Sequence, residues 1–176
     1  PYHLFFAIFA TIGILLGYAM WNVGLLKPVI IENKQTESAV LIYRHIVGPY
    51  HNLSEEFQKI EKDLSSFNYP CDKTFGLYYD NPATQEHERL RADIGCYAST
   101  PPLQKLEGFE IKELPSYLAL SGRFSGAPWL TAFKVYGALN KQAAAQNLKI
   151  KKGPVLEIYE PNQKGFTTEV VFEITQ

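Results

Sequence analysis

Apolar and polar positions follow the same order twice along this chain. An apolar, β-branched run at residues 40–43 ends at the corner Gly48-Pro49-Tyr50, and a helix-like pattern follows. About 78 residues later a similar run at 117–120 ends at residues 126–129, Gly-Ala-Pro-Trp, before another helical pattern. Each copy continues with two strand-like runs, at 75–82 and 90–96 in the first and at 155–161 and 167–173 in the second. Two copies at a fixed spacing predict a pseudo-two-fold domain and not a solenoid.

The periodicities within each copy predict an α+β fold of two pseudo-symmetric βαββ units. Apolar residues at 53, 57, 60 and 64 recur at helical spacing, and a second helix is predicted over 128–147. Each helix is expected to lie on an antiparallel sheet. We place the domain at residues 39–176, with one unit at 39–98 and the other at 115–175. The strand faces not covered by the helices are expected to form a groove at the pseudo-dyad.

The first 26 residues contain no Asp, Glu, Lys or Arg, and residues 4–21 are almost wholly apolar. About 18 helical residues span roughly 27 Å, which is close to the hydrocarbon thickness of a bilayer. We therefore predict a single-pass transmembrane anchor at 1–26, with membrane contact at 4–21 and a linker at 27–38. A cleaved signal peptide and a buried core helix are the alternatives. Lys27 and Lys34 follow this segment and favour a cytoplasmic position for the soluble domain.

Composition and charge restrict the function classes. The formal net charge of −1 provides no basic field for nucleic acid, so we expect no nucleic-acid partner. The histidines and the two cysteines, Cys71 and Cys96, show no metal-ligand spacing, and no Gly-rich phosphate loop follows a strand. We predict no metal and no cofactor. The cysteines are interpreted as buried small side chains or free thiols, with a disulfide between them as the alternative.

Glu157 is the candidate site residue, within the run Val155-Leu156-Glu157-Ile158-Tyr159. If Leu156 and Ile158 pack under the helix, Glu157 and its neighbours Val155 and Tyr159 share the opposite face. A carboxylate among apolar and aromatic residues is costly unless it is solvated, paired or used. Its expected counterpart in the first copy is Leu77, between Phe75 and Tyr79. A groove of this composition suits a cationic or hydrogen-bond-donating apolar ligand, whereas a wet sheet face or a pair with Arg123 or Arg44 is the structural alternative.

Three runs carry a family resemblance: residues 44–53, residues 79–82 (Tyr-Asp-Asn-Pro) and residues 90–94 (Leu-Arg-Ala-Asp-Ile). Together they resemble the GyrI-like small-molecule-binding domain, the effector-binding domain also attached to AraC-type and MerR-type regulators. The resemblance covers about residues 39–175 and implies two βαββ units with a central groove for hydrophobic, often cationic, compounds. It implies that Glu157 and Tyr159 line the groove. The chain departs from the regulators because it contains no DNA-binding helix-turn-helix and carries an apolar N-terminal helix.

Three functions remain as hypotheses. The first is a membrane-tethered module that binds a small hydrophobic or cationic ligand, with Glu157 as polar anchor and Tyr79, Trp129 and Tyr159 as walls. The second is a hydrolase of reactive small electrophiles with Glu157 as general base, although no dedicated nucleophile or metal supports an enzyme. The third is a protein-interaction or inhibitory domain that holds a protein partner through the groove or a sheet edge.

Overall fold

A computed structural model describes residues 2–162 and 165–175; Pro1, residues 163–164 and Gln176, which belong to the predicted anchor and second unit, lie outside the described residues. The elements are, in chain order, α1 (Tyr2–Val23), β1 (Ile30–Gln35), β2 (Ala39–Val47), α2 (Leu53–Ser66), β3 (Thr74–Tyr78), β4 (Arg91–Ala98), β5 (Glu110–Leu114), β6 (Leu118–Ser125), α3 (Pro128–Ala145), β7 (Lys149–Ile150), β8 (Val155–Asn162) and β9 (Gly165–Thr175). Two short 3-10 helices are also present: Tyr50–Asn52 leads into α2, and His87–Arg89 precedes β4.

The main sheet is antiparallel and symmetric about its centre. Its strand order is β1-β6-β9-β8-β3-β4-β2-β5, with β7 paired to β9. The two units meet where β3 pairs with β8, and there Leu77 lies opposite Leu156. The α+β fold of two βαββ units is thus confirmed.

The outer strands are exchanged between the two units. β1 precedes the first unit in the chain but pairs with β6 of the second, whereas β5 precedes the second unit and pairs with β2 of the first. The segment 27–38, predicted as a linker, therefore contributes a strand to the sheet. At the crossing point, Thr36 and Tyr117 exchange hydrogen bonds in both directions, at 2.8 Å and 2.9 Å.

The helices cover the same face of the sheet, one over each unit. Apolar residues at helical spacing on α2, including Leu53, Ile60 and Leu64, pack on Ile42 and Ile94 of the first unit. The corresponding core under α3 combines helix and strand residues, namely Leu130, Val135, Leu139, Leu120, Phe124, Val170 and Phe172.

The other face of the sheet encloses a third apolar cluster in which no helix takes part. Its buried members are Leu41, Phe75, Leu77, Ala119, Leu156 and Val171, from five different strands. Only three residues join β1 at one edge to β2 near the other edge. The sheet must therefore curl around this cluster, which explains how a face without helices becomes buried.

The apolar helix α1 projects from the domain and touches it only near its end. No residue of Phe5–Val23 is buried, and within the described residues this is the one helix long and apolar enough to cross a membrane. This exposure argues against a buried core helix, although a signal sequence would have the same length and composition. The helix ends at Gly24, whose φ of +88° is the left-handed conformation that favours glycine.

The two cysteines form a disulfide. Cys96 is buried on β4 and Cys71 lies between α2 and β3, with their Cα atoms 5.7 Å apart. The expectation of free thiols is therefore wrong, and the alternative of a pair holds. The sequence does not decide between these alternatives. A separation of 25 residues does not show that the segment before β3 lies against β4.

Candidate functional site

Glu157 lies at the middle of the sheet, between the two helices. Its strand β8 is hydrogen-bonded to β3 on one side and to β9 on the other, and Glu157 pairs with Gly76 of β3. Two tyrosine hydroxyls donate to its carboxylate: Tyr136 of α3 to Oε1 at 2.5 Å, and Tyr159 of β8 to Oε2 at 2.8 Å. Both oxygens of one partly buried carboxylate are thus held by phenols.

Further rings complete this arrangement. The hydroxyl of Tyr78 on β3 is 2.7 Å from that of Tyr159, and Phe57 of α2 meets the Tyr159 ring edge-on, with ring centres 5.5 Å apart. We call Glu157, Tyr78, Tyr136, Tyr159 and Phe57 the Glu157 cluster. It receives side chains from both helices and both central strands. The cluster is therefore built jointly by the two units.

Gly76 makes room for the Tyr78 ring. A Cβ atom at Gly76 would lie 2.6 Å from a ring carbon of Tyr78, well inside contact distance. The absence of a side chain opposite Glu157 therefore lets the phenol of Tyr78 lie across β3 and reach Tyr159. Tyr50 supports this ring from the other side, at 5.0 Å between ring centres.

The surroundings of the carboxylate favour its neutral form. Burial raises the pKa of Glu157 above its ordinary value, while the hydrogen bonds from Tyr136 and Tyr159 act in the opposite direction and only partly offset the burial. Burial, together with the charge of Glu157, also raises the pKa of Tyr78, Tyr136 and Tyr159. The phenols therefore remain protonated donors at neutral pH.

The predicted orientation of β8 is wrong. Val155, Glu157 and Tyr159 face the helices, whereas Leu156 and Ile158 face the helix-free cluster. The alternation of side chains was correctly predicted, but which set faces the helix was not. For the same reason Leu77, the expected counterpart of Glu157 in the first unit, does not share the face of Glu157, because it lies in the helix-free cluster.

Tyr79, a predicted wall residue, lies outside the Glu157 cluster. Its hydroxyl donates to Oδ2 of the buried Asp93 at 2.6 Å, and Oδ1 of Asp93 is 2.7 Å from Nδ1 of His45. Tyr79 packs against the helix-free apolar cluster. It follows β3 one residue beyond Tyr78, so it points to the opposite face.

Trp129, the other predicted wall residue, is not at the site either. It begins α3 with 61% of its surface exposed. Tyr50 holds the matching place after the first Gly-Pro corner, yet it turns inward and donates to the carbonyl oxygens of Asp80 and Arg91. Of the four predicted residues, the structure brings together Glu157 and Tyr159.

Helical periodicity places Phe57 and Tyr136 on the core-facing sides of their helices, and no local pattern singles out Tyr78. One signal was present: Phe57 and Tyr136 are both aromatic and each lies two helical turns after the corner of its unit. An aromatic pair related by the internal repeat is the pattern expected of side chains that meet at a pseudo-dyad.

Neither of the two arginines considered as partners of Glu157 is paired with it in the structure. Arg123 pairs with Glu160 at 3.1 Å, and Arg44 pairs with Asp63 at 2.7 Å. Two cavities, of about 250 Å³ and 400 Å³, lie elsewhere, one on the helix-free face beside Arg123 and the other beside Cys71. In residues 2–162 and 165–175 no group of three or more His, Cys, Asp or Glu side chains is placed to hold a metal ion.

The curled antiparallel sheet, its paired helices and the carboxylate between them define a small-molecule-binding domain of the effector-binding class. Residues 29–175 match the family described as the GyrI-like small molecule binding domain, and the chain belongs to this family.

Two relatives are DNA gyrase inhibitors. That of Serratia proteamaculans is 32% identical over 90 residues, which cover 49% of this chain and 56% of the relative. That of Yersinia enterocolitica is 27% identical over 138 residues, covering 73% of this chain and 83% of the relative. The chain thus spans little more than half of the first relative and most of the second.

Solved structures share the fold at low identity. The C-terminal domain of EcmrR has a TM-score of 0.67 at 13% identity, covering 84% of this chain and 98% of that domain. SAV2435 bound to tetraphenylphosphonium has a TM-score of 0.56 at 12% identity, with 83% and 94% covered. A hydrolase from Listeria innocua has a TM-score of 0.56 at 8% identity, with 86% and 95% covered. At these identities the likeness concerns the fold alone.

Proposed function

We propose that this protein is a membrane-anchored module that binds a hydrophobic cation at the Glu157 cluster. The observation that carries the proposal is a single carboxylate enclosed by aromatic rings at the junction of the two units. A cation held there would gain the charge of Glu157 and the faces of the surrounding rings.

Ligand binding at this site exchanges partners. The two phenols that donate to Glu157 would turn aside, and the ligand's positive charge would replace them beside the carboxylate. Because an adjacent cation favours the ionised carboxylate, binding would reverse the raised pKa of Glu157. The same features predict a preference for cations over neutral aromatic compounds of similar size.

One neighbour in fold supports this class of ligand. SAV2435 was solved with tetraphenylphosphonium, a lipophilic cation whose phosphorus carries four phenyl groups. That compound is therefore the first probe for this chain.

The test is the thermal midpoint of the full chain in detergent, with tetraphenylphosphonium or with neutral triphenylphosphine oxide. A ligand that binds only the native state stabilises it by about 2.7 kcal/mol at a hundredfold excess over Kd. For a chain of this size, we expect the cation to raise the midpoint by roughly 5–10 °C. The neutral compound should have a much smaller effect.

Two variants make the result specific. Glu157→Gln removes the charge at the site, whereas Glu160→Gln removes a carboxylate on the same strand that pairs with Arg123. We expect the shift to vanish in the first variant and to persist in the second. Equal shifts in both variants would show that the cation binds elsewhere.

The membrane anchor is part of the proposal. It is supported by the length of α1, by its exposed apolar surface and by its aromatic residues Tyr2, Tyr18 and Trp21 near the two ends. Retention of the full chain in membranes after alkaline carbonate extraction tests it. Release into the soluble fraction would contradict it.

Two features favour opposite sides of the membrane for the domain. The lysines after α1 favour the cytoplasm, whereas the Cys71–Cys96 disulfide favours an oxidising compartment. Alkylation of intact cells before lysis distinguishes the sides: alkylated cysteines would place the domain in the cytoplasm, and an intact disulfide would place it outside.

A hydrolytic function is the second candidate, and the raised pKa of Glu157 favours it because a general base must accept a proton near neutral pH. A neighbour in fold is described as a hydrolase. Turnover of a reactive electrophile that is lost in Glu157→Gln would support this function, and binding of the same compound without turnover would exclude it.

A further inference from the structure

The outer face of α3 carries no charge over its first ten residues. Its exposed positions there are Pro128, Trp129, Ala132, Phe133 and Gly137. Trp129 and Phe133 are four residues apart, on one side of the helix, and are 61% and 77% exposed. The first exposed charged residue along α3 is Lys141.

The matching helix of the other unit shows that the fold does not require this apolar face. α2 has its own exposed side, and its residues there are polar or charged: Ser54, Glu55, Gln58, Lys59, Glu61 and Lys62. The two helices occupy equivalent places on the sheet. An apolar outer face is thus a property of α3 and not of its counterpart α2.

The end of α1 lies beside α3. The amide of Ala127 donates to the carbonyl of Val23 at 2.9 Å, and a Cβ atom at Gly24 would lie 2.8 Å from the Cα of Gly126. The two backbones are therefore in direct contact. Glycine stands on both sides of this contact, so no side chain separates the two backbones there and the start of α3 lies against the end of the apolar helix.

Lys134 strengthens this junction. Its Nζ donates to the carbonyl oxygens of Gly24, Leu25 and Lys27, at 3.2 Å, 2.8 Å and 2.5 Å. These carbonyls follow the last turn of α1, where a positive charge is favourable. The one charged side chain in the first ten residues of α3 thus points to α1 and leaves the outer face apolar.

We propose that the outer face of α3 lies on the surface of the bilayer that α1 spans, with Trp129 and Phe133 inserted at the interface. The inference rests on the proposed anchor. Since α1 ends at the membrane surface, a face fixed next to that end meets the same surface. Trp and Phe suit this position because their rings favour the headgroup boundary. Lys141, at the far edge of the face, is placed for anionic headgroups.

The test uses fluorescence of the full chain in phosphatidylcholine and phosphatidylserine vesicles that carry bromine on the acyl chains near the headgroups. The chain contains two tryptophans, Trp21 and Trp129. Trp21→Phe leaves Trp129 as the only reporter of the α3 face. Trp129→Phe leaves Trp21 as the reporter of the anchor. We expect both emissions to be blue-shifted and quenched by the brominated lipid.

A matched control places the reporter on the equivalent helix. The combination Trp21→Phe, Trp129→Phe and Ser54→Trp puts a tryptophan on the exposed side of α2. We expect this emission to be unquenched. Each substitution is at an exposed position, and equal thermal midpoints will verify that each variant is folded.

The outcomes separate the anchor from the α3 contact. Quenching of Trp21 without quenching of Trp129 overturns the α3 contact and leaves the anchor. Quenching of neither overturns both. Quenching of the tryptophan at position 54 as strongly as Trp129 overturns a contact specific to α3. A blue-shifted Trp129 that bromine does not quench, and that responds to protein concentration, would assign the face to a second copy of the chain and overturn the bilayer proposal.

Discussion

Under the proposed function, the fold and the ligand place opposite demands on the charge of Glu157. Its burial favours a neutral carboxyl, whereas a cationic ligand favours the charged one. The three tyrosines of the Glu157 cluster resolve this conflict in the absence of ligand because their hydroxyls satisfy one another and the carboxylate. The cluster thus supplies hydrogen-bond partners for both oxygens of Glu157 without a ligand.

The raised pKa of Glu157 predicts a pH dependence of stability. Between the ordinary pKa of 4.5 and the higher value in the fold, the native state binds more protons than the unfolded state. The contribution of Glu157 to the free energy of unfolding therefore falls as the pH rises through this window and then levels off. We expect wild-type stability minus that of Glu157→Gln to decline from acid to neutral pH.

Urea denaturation of both proteins across that range measures the difference. Other titrating groups are common to both and cancel to first order. A difference that increases with pH would mean that the hydrogen bonds from Tyr136 and Tyr159 outweigh burial, and that the folded pKa is lowered.

Gly76→Ala should disturb the site without touching Glu157. The added Cβ would lie 2.6 Å from the ring of Tyr78, which must move and loses its contact with Tyr159. We expect a loss of about 1–3 kcal/mol in stability, as for other overpacked positions. Chemical denaturation measures this loss.

Gly137→Ala is the matched control, because a Cβ at that exposed helical position meets nothing within 4 Å. There the better helix propensity of alanine should stabilise the protein by up to about 1 kcal/mol. Destabilisation of similar size in both variants would argue against a special role for the space beside Tyr78.

At the scale of elements, α2 and α3 occupy equivalent places in the repeat, with similar inner faces and different outer faces. Each provides one aromatic residue to the Glu157 cluster, Phe57 from α2 and Tyr136 from α3. On their outer faces they differ, since α2 is charged and α3 is apolar where it adjoins α1. The inner faces of the two helices thus meet at one cluster, whereas their outer faces differ in charge.

The disulfide fixes the connection between α2 and β3 onto β4. Closing a loop across 25 residues stabilises a fold by about 3 kcal/mol, through the entropy of the unfolded chain. We expect Cys71→Ser to lower the free energy of unfolding by about that amount, as measured by denaturation in guanidinium chloride.

Addition of dithiothreitol provides the control for this prediction. It should lower the stability of the wild-type protein toward that of Cys71→Ser and leave the variant unchanged. A wild-type protein insensitive to the reductant would indicate that the cysteines are not paired under those conditions.

The helices and central strands could be predicted from the sequence because their periodicities are local. The order of elements in each unit, the helix beginning at Pro128 and the alternation along β8 all follow from such patterns. Whether Glu157 or Leu156 faces the helices cannot be read from alternation, because both faces of this sheet are buried. The inward turn of Tyr50 and the outward turn of Trp129 depend on tertiary surroundings that no local pattern contains.

In the whole molecule, the exchange of outer strands joins the two units in addition to the pairing of β3 with β8. β1 belongs to the second half of the sheet and β5 to the first half, so separating the units would remove an outer strand from each. Both edge strands carry charged residues, among them Glu32 and Lys34 on β1 and Lys112 on β5, which discourages pairing with other sheets. The exchange could not be predicted, because β1 and β5 lie outside the repeated segments and the repeat does not indicate which strand each of them pairs with.

The exchange predicts that a chain cut between the units stays together. Leu103 is fully exposed in the connection before β5, which makes it a suitable place for an inserted protease site. After cleavage we expect the two pieces to copurify as one folded particle and to separate only in denaturant. Gel filtration under native conditions measures this, with a cleaved sample in urea as the control. Two separate folded pieces under native conditions would contradict the prediction.

The same exchange imposes a delay on the nascent chain. β1 emerges directly after the apolar helix, but its partner strand β6 is encoded about 90 residues later. At ~5–20 residues per second, the ribosome needs roughly 5 to 20 seconds to deliver that partner. Throughout this time β1 lacks the strand with which it pairs in the folded domain. The polar run Glu32-Asn33-Lys34-Gln35 favours hydration of the unpaired β1 until β6 has been synthesised.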